Sequence, residues 1–209
     1  LMFVKLVSSS INPASLLSPK KLEKFLQILQ SVNSQLRQAV CLTGVILLIG
    51  CTNNGWQNAS RESAGIAPDP ATTNEAVLHL YGADAWGWRG WFAIHTWIAA
   101  KGTGDTEYTV YDVTGWRGYH GQSVLRIATD IPDRYWYGAK PQLLKAHQGE
   151  GVDELITAVD EAARAYPWQK IYKAFPGPNS NTFTAWVAKQ VPELQLNLPF
   201  SAIGKGYVN

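Results

Sequence analysis

The sequence is poor in the residues that build metal and redox sites, with two cysteines, four histidines and one methionine in 209 residues. The cysteines are Cys41 and Cys51, both near the amino end, so the larger part of the chain has no disulfide framework and no thiolate metal site. His79, His95, His120 and His147 fall into no close-spaced ligand pattern. The reading therefore includes no cofactor and no metal, unless ligands distant in the chain converge. Charge is also sparse: 16% of residues are charged and the formal net charge is +2. Residues 1–50 hold five basic groups and one acid, which leaves 13 basic and 15 acidic residues beyond them, a net charge of −2. A nucleic-acid partner needs a basic patch or stripe, and none is present, so no nucleic acid is expected. Aromatic residues, in contrast, are plentiful. Eight of the nine tryptophans lie between Trp86 and Trp186, which marks that stretch as the folded domain. They read either as a Trp-rich core or as a stacking surface of the carbohydrate-binding kind.

The apolar run at residues 38–50, QAVCLTGVILLIG, is preceded by Arg37 and followed by Cys51. It is shorter than the ~20 apolar residues that span a bilayer, and its length suits the apolar region of a signal peptide. Leu48, Ile49, Gly50 and Cys51 resemble the lipobox of bacterial lipoproteins: an aliphatic residue, a variable one, a small one, then cysteine. The resemblance implies cleavage before Cys51 and acyl chains on it. Several chains together anchor stably where one is marginal. The expected partner is thus a membrane, and the expected location is the cell envelope, facing the periplasm or the cell exterior. Thr52, rather than aspartate, follows the cysteine. That favours an outer-membrane address in a cell that has one. Residues 51–74 are polar and rich in Asn, Ser, Gly, Pro and Thr, the composition of a flexible tether. Residues 1–50 form the signal region. Residues 1–31 are longer than such a signal needs, which points to an over-extended gene start with translation beginning at Val32 or Leu36. If made, residues 20–36 have helical spacing.

Residues 75–209 read as a single α+β domain, a small antiparallel sheet packed with a few helices. Alternation predicts strands at Glu75–Tyr81, Trp91–Ala99, Glu107–Val113 and Gln122–Ala128, the second and third joined as a hairpin across residues 101–105. Gly82–Gly90 reads as a loop, and Gln169–Phe175 as a further strand. Helices are expected at Pro141–His147, at Val152–Tyr166, where Leu155, Ile156, Val159, Ala162 and Ala163 make one apolar stripe, and at Asn181–Gln190. Gly-Trp-Arg-Gly occurs at 87–90 and again at 115–118. Each copy is expected to turn at a strand end and to present Arg89 or Arg117 near one rim. These are either solvated surface arginines or a grip on an anionic ligand.

Two segments carry possible chemistry. Residues 93–97, AIHTW, place His95 within a strand. Residues 176–183, PGPNSNTF, form a Pro/Gly turn feeding a helix, with Ser180 at or near its start. Unpaired amides there can hold an oxyanion, and His95 is the obvious base for a serine nucleophile. The plain alternative is a helix cap for Ser180 and a hydrogen-bonded strand residue for His95. Asp112 and Tyr111 are candidates to orient the histidine. Arg134, Tyr135, Trp136 and Tyr137 either wall a pocket beside the pair or pack as a turn after Pro132.

The strings WFAIHTWIA, YTVYDVTGWRG, PDRYWYG, PGPNSNTFTAWV and LPFSAIGKGY resemble the bacterial domain of unknown function 3750 family, over nearly all of residues 76–207. That resemblance brings no activity with it. More distantly, a strand histidine followed by Asn-nucleophile-Asn-x-Phe at a helix start is similar to the circularly permuted, papain-like NlpC superfamily of thiol peptidases, amidases and acyltransferases. It implies His95 as base, Ser180 in place of the cysteine, and Asn179 and Asn181 as its flanks. Serine is essentially unionised at neutral pH where a thiol beside histidine ionises readily. Two functions follow as expectations: a lipid-anchored binding module of papain-like shape, or an amide or ester hydrolase or acyltransferase acting on peptidoglycan or lipid.

Overall fold

The computed structural model describes residues 55–208, together with Lys20, Glu23 and Gln27, which are helical and exposed. The chain divides into two units, Leu1–Asn54 and Gly55–Asn209. The 38–50 run, the lipobox-like tetrapeptide and Cys51 lie outside the described residues.

The second unit is built on five antiparallel strands: β1 (Val77–Asp84), β2 (Ile94–Lys101), β3 (Thr109–Val113), β4 (Leu125–Thr129) and β5 (Gln142–Gln148). They lie in the order β4-β3-β2-β1-β5. A five-residue helix, α1 (Gly115–Tyr119), joins β3 to β4, and α2 (Val152–Arg164) and α3 (Ser180–Gln190) follow the sheet in the chain. The α+β class expected from the sequence is the class observed, and the hairpin of β2 with β3 pairs Ile98 with Tyr111.

The two central strands are buried on both faces. One face carries Leu78, Leu80, Ile98, Ala100, Tyr111 and Val113 against Val159, Ala163, Phe183 and Val187 of α2 and α3. The other face carries Val77, Tyr81, Trp97, Ala99 and Val110, and Ile66, Trp136 and Ala139 lie over it. The apolar stripe of α2 thus covers the first face, as its spacing predicts.

Three local expectations are corrected. Residues Gln142–Gln148 form strand β5 in place of the helix expected at Pro141–His147. Leu143, Leu144, Lys145 and Ala146 favour helix intrinsically, but the outer edge of β1 offers a ladder of backbone partners, and tertiary pairing decides. Residues 169–175 form no strand; they run as turns and bends to the Pro/Gly segment. The segment expected as a tether is held to the domain from Ser60 onward. Buried Asp133 accepts hydrogen bonds from Ser63 Oγ at 2.7 Å, Ile66 N at 2.7 Å and Ala67 N at 3.1 Å. Tyr135 N donates to Glu62 O and Gly138 N to Ser60 O. One carboxylate placed seventy residues away thus gathers a stretch whose composition suggests solvent.

Candidate functional site

Helix α3 begins where the Pro/Gly turn ends. Asn179, not Ser180, is its cap. The Asn179 side-chain oxygen accepts from Asn181 N at 3.0 Å and Thr182 N at 3.1 Å, and Thr182 Oγ1 accepts from Asn179 N. Asn179 Nδ2 donates to the carbonyls of Ala174 and Ile203, both at 3.0 Å. This packing leaves no room at Gly204, where a Cβ would stand 2.4 Å from Asn179 Nδ2 on a backbone with φ +98°. Asn181 is used as fully. Its Nδ2 donates to Ile94 O and Ile203 O, and its Oδ1 accepts from Thr96 Oγ1, each at 2.9 Å. Thr96 Oγ1 also meets Thr184 Oγ1 at 2.8 Å. The two asparagines flanking Ser180 therefore fasten α3 to the start of β2 and to the carboxyl-terminal segment. Neither keeps a free amide hydrogen for a ligand.

That fastening brings Ser180 and His95 to one cleft of about 710 Å³. Among the described residues no hydrogen bond joins the two side chains, and His95 Nε2 is buried without a partner. Strand alternation sets which face of the sheet carries the histidine. Thr96 points to α3 and shares a face with Ile98 and Ala100, so His95 shares the opposite face with Trp97 and Ala99. Its ring lies flat on Trp136, with centroids 3.5 Å apart and 4° between planes. Burial, assisted by the nearby Arg134 charge, holds the His95 pKa well below its ordinary 6.5, so the ring is neutral at physiological pH.

Asp112 and Tyr111 do not orient His95. Asp112 is buried and binds Arg134 Nη2 at 2.5 Å. Burial pushes its carboxyl pKa up, and Arg134 offsets part of that rise. Tyr111 points to the other face and donates to Asp160 at 3.2 Å. Arg134 Nη1 stands 3.3 Å from Asp130 Oδ2, close enough for an ion pair but with no hydrogen bond made. The guanidinium lies 5.7 Å from the Trp97 ring and 5.9 Å from that of Trp136. Arg134 and Tyr135 line a second cavity of about 270 Å³, which also holds Asp112 and Arg126 and adjoins the cleft through Arg61, Thr114, Trp116, Trp136 and Tyr137.

Of the other expected pocket residues, Trp136 and Tyr137 do wall the cleft beside His95, and Arg89 reaches its rim. Arg117 is a correction. Its Nε donates to Ser123 O at 2.8 Å, which turns it into the α1–β4 connection and away from the cleft. The two Gly-Trp-Arg-Gly copies form short helical turns, at Gly87–Trp91 and in α1, and both border the cleft. Most of the tryptophans also depart from a core role. Trp97 is fully buried, while Trp56, Trp86, Trp88, Trp91 and Trp116 are all exposed. Cleft residues that the sequence did not single out include Trp56, Arg61, Trp86, Trp116, Tyr119 and Tyr172. A signal was present in tryptophans set among Gly and Arg with no apolar alternation, which suits a rim better than a core. Among the described residues no group of three His, Cys, Asp or Glu side chains is placed to hold a metal ion.

No curated protein and no solved structure matches this chain. The model of the family described as a protein of unknown function, DUF3750, matches residues 75–207, from just before β1 to the last helical turn, and the chain belongs to that family.

Proposed function

We propose that this domain is a ligand-binding module of the bacterial cell envelope that acts without turnover. The observation that carries the reading is the arrangement at the cleft. An aromatic-walled cavity of about 710 Å³ falls in the ~300–1,000 Å³ range of small-molecule sites. Of its two reactive groups, His95 lies on the face of β2 turned from α3 and Ser180 opens α3, and among the described residues no hydrogen bond joins them. The helix-start amides of Asn181 and Thr182 are taken by the Asn179 side chain, so an oxyanion would find few donors. Aromatic walls suit the apolar face of a sugar ring or an acyl chain, and Arg61 and Arg89 at the cleft suit an acidic group. Peptidoglycan fragments and lipids both answer that description. Anchorage by acyl chains on Cys51 rests on the lipobox-like residues 48–51.

The test is titration of the full chain with a soluble muropeptide and with a short-chain phosphatidylglycerol, followed by tryptophan emission. A saturable shift weakened at least tenfold by Trp116→Ala supports binding in the cleft. Turnover of either compound that vanishes in His95→Gln overturns the non-catalytic reading.

One feature favours a second reading, a hydrolase or acyltransferase of the permuted papain-like kind. Ser180 opens the first turn of α3 within the same cleft as His95, and among the described residues its own amide makes no backbone hydrogen bond. In that reading the Ser180 hydroxyl attacks an amide or ester carbonyl as its proton passes to His95. The leaving amine or alcohol takes that proton, and water or an acceptor alcohol then releases the acyl group. Covalent labelling of Ser180 by a fluorophosphonate, lost in His95→Gln, is the outcome it requires.

A further inference from the structure

The four most exposed large apolar side chains among the described residues are Phe200 at 91%, Tyr119 at 90%, Trp91 at 89% and Phe175 at 78%. Each comes from a different segment: 86–92, 115–121, 168–176 and 198–208. All four segments border the cleft, through Trp86, Trp116, Tyr172 and Ile203 respectively. The same segments contain Arg89, Arg117, Lys170, Lys173 and Lys205 and not one aspartate or glutamate, although the chain beyond residue 50 has an excess of acids.

The strand directions show how far this segregation reaches. The cleft lies where β1 ends, β2 begins and β3 ends. The acids near that end are Asp84, the last residue of β1, Asp112, which is buried against Arg134, and exposed Glu62, which follows Arg61 of the cleft. The turns at the other end, 101–107 and 149–154, expose Asp105, Glu107, Glu150, Asp153 and Glu154. The domain thus has an aromatic, cationic end around the cleft and an acidic end opposite.

We infer that the cleft end docks on an anionic bilayer surface, with Trp91, Tyr119, Phe175 and Phe200 seated at the boundary between headgroups and acyl chains. Tryptophan and tyrosine are the residues that concentrate at this boundary. Lysine and arginine near an anionic leaflet add attraction that falls off within a Debye length. Two features favour a bilayer over a protein partner. Among the described residues none of the four rings pairs with another aromatic ring, and a protein interface would need a packed apolar centre. Lysine, which protein interfaces disfavour, stands at both 170 and 173 beside Phe175. The docking uses these side chains alone and needs neither the acylation of Cys51 nor a ligand in the cleft.

The experiment places the full chain on vesicles of phosphatidylglycerol and phosphatidylcholine whose acyl chains are brominated, with unbrominated vesicles as reference. Bromine quenches tryptophans that reach the acyl boundary. Phe200→Trp adds a reporter at the cleft end, and Ile131→Trp adds one just beyond β4, at the acidic end. The added emission of Phe200→Trp is expected to be mostly quenched and that of Ile131→Trp to survive. Quenching of Phe200→Trp is expected to disappear on pure phosphatidylcholine, and in Phe200→Trp combined with Lys170→Glu and Lys173→Glu. Equal quenching at the two positions overturns the docking. So does a Phe200→Trp emission as bright on brominated as on unbrominated lipid.

Discussion

Replacing Asn181 separates a structural fastener from a residue that touches ligand. In Asn181→Ala three hydrogen bonds are lost together, those from Thr96 Oγ1 and to the carbonyls of Ile94 and Ile203, each at 2.9 Å. A neutral hydrogen bond contributes a net ~1 kcal/mol. Thr96 keeps Thr184, and Ile203 O keeps Asn179 Nδ2, but the donor to Ile94 O is gone and a small void remains. The expected loss is about 3–4 kcal/mol. At ~2–4 °C per kcal/mol for a domain of this size, the melting midpoint falls about 10 °C. Asn181→Asp keeps the shape but sets a carboxylate oxygen against two carbonyl oxygens, so it is expected to destabilise more than alanine does. Thermal unfolding followed by circular dichroism measures both. An Asn181→Asp protein that melts within about 2 °C of the parent would refute the fastener argument, because no buried amide could then be donating to both carbonyls.

Gly204→Ala forces a Cβ to 2.4 Å from Asn179 Nδ2 on a φ of +98°, and an expected loss of about 3 kcal/mol appears in the same unfolding assay. Asp112→Ala leaves the buried Arg134 guanidinium with only the Asp130 carboxylate at 3.3 Å and costs ~3 kcal/mol; Asp112→Leu combined with Arg134→Met recovers most of that loss, as denaturant titration of both proteins will show. Both His95 and His79 have folded pKa values held below 6.5, chiefly by burial. The unfolded chain therefore binds more protons just below that pH, and stability is full above 6.5 and lost as pH falls through it. Melting midpoints from pH 8 to pH 5 should drop along that limb. His95→Gln should flatten the limb, and an unchanged slope would show that His95 is not desolvated in the folded protein.

What the sequence disclosed about the fold follows the strength of local signal. Helix α2 was legible because one apolar stripe and one terminating proline agree, and β2 and β3 because a Gly-containing turn separates two alternating runs. Strand β5 was hidden because QLLKAHQ favours helix and its pairing partner lies sixty residues earlier. The ordered stretch after Ser60 was hidden for a similar reason: the group that orders it is the single carboxylate of Asp133. The polar strap of residues 132–139, which supplies Trp136 to the cleft, is placed by Trp97 Nε1 donating to Pro132 O at 2.8 Å, a contact with no periodic signature.

The pair expected at the site, His95 and Ser180, reaches one cleft without a hydrogen bond between the side chains, in an arrangement that spacing could not supply. Which face of β2 meets α3 decides which side of the sheet carries His95, and alternation gives that answer only when one face is apolar and the other polar. In IHTWIAAK the odd and even positions are both apolar: Ile94, Ile98 and Ala100 on one side, Trp97 and Ala99 on the other. A strand buried on both sides carries no label for its helix side. The label comes from Thr96, whose hydroxyl joins Asn181 and Thr184 and so claims its face for α3. His95, one residue earlier, is turned by parity to the side of Trp97 and Trp136. The Asn-Ser-Asn motif is thus used first to lock helix to strand. The same lock that puts Ser180 at the cleft also sets the histidine's ring against Trp136.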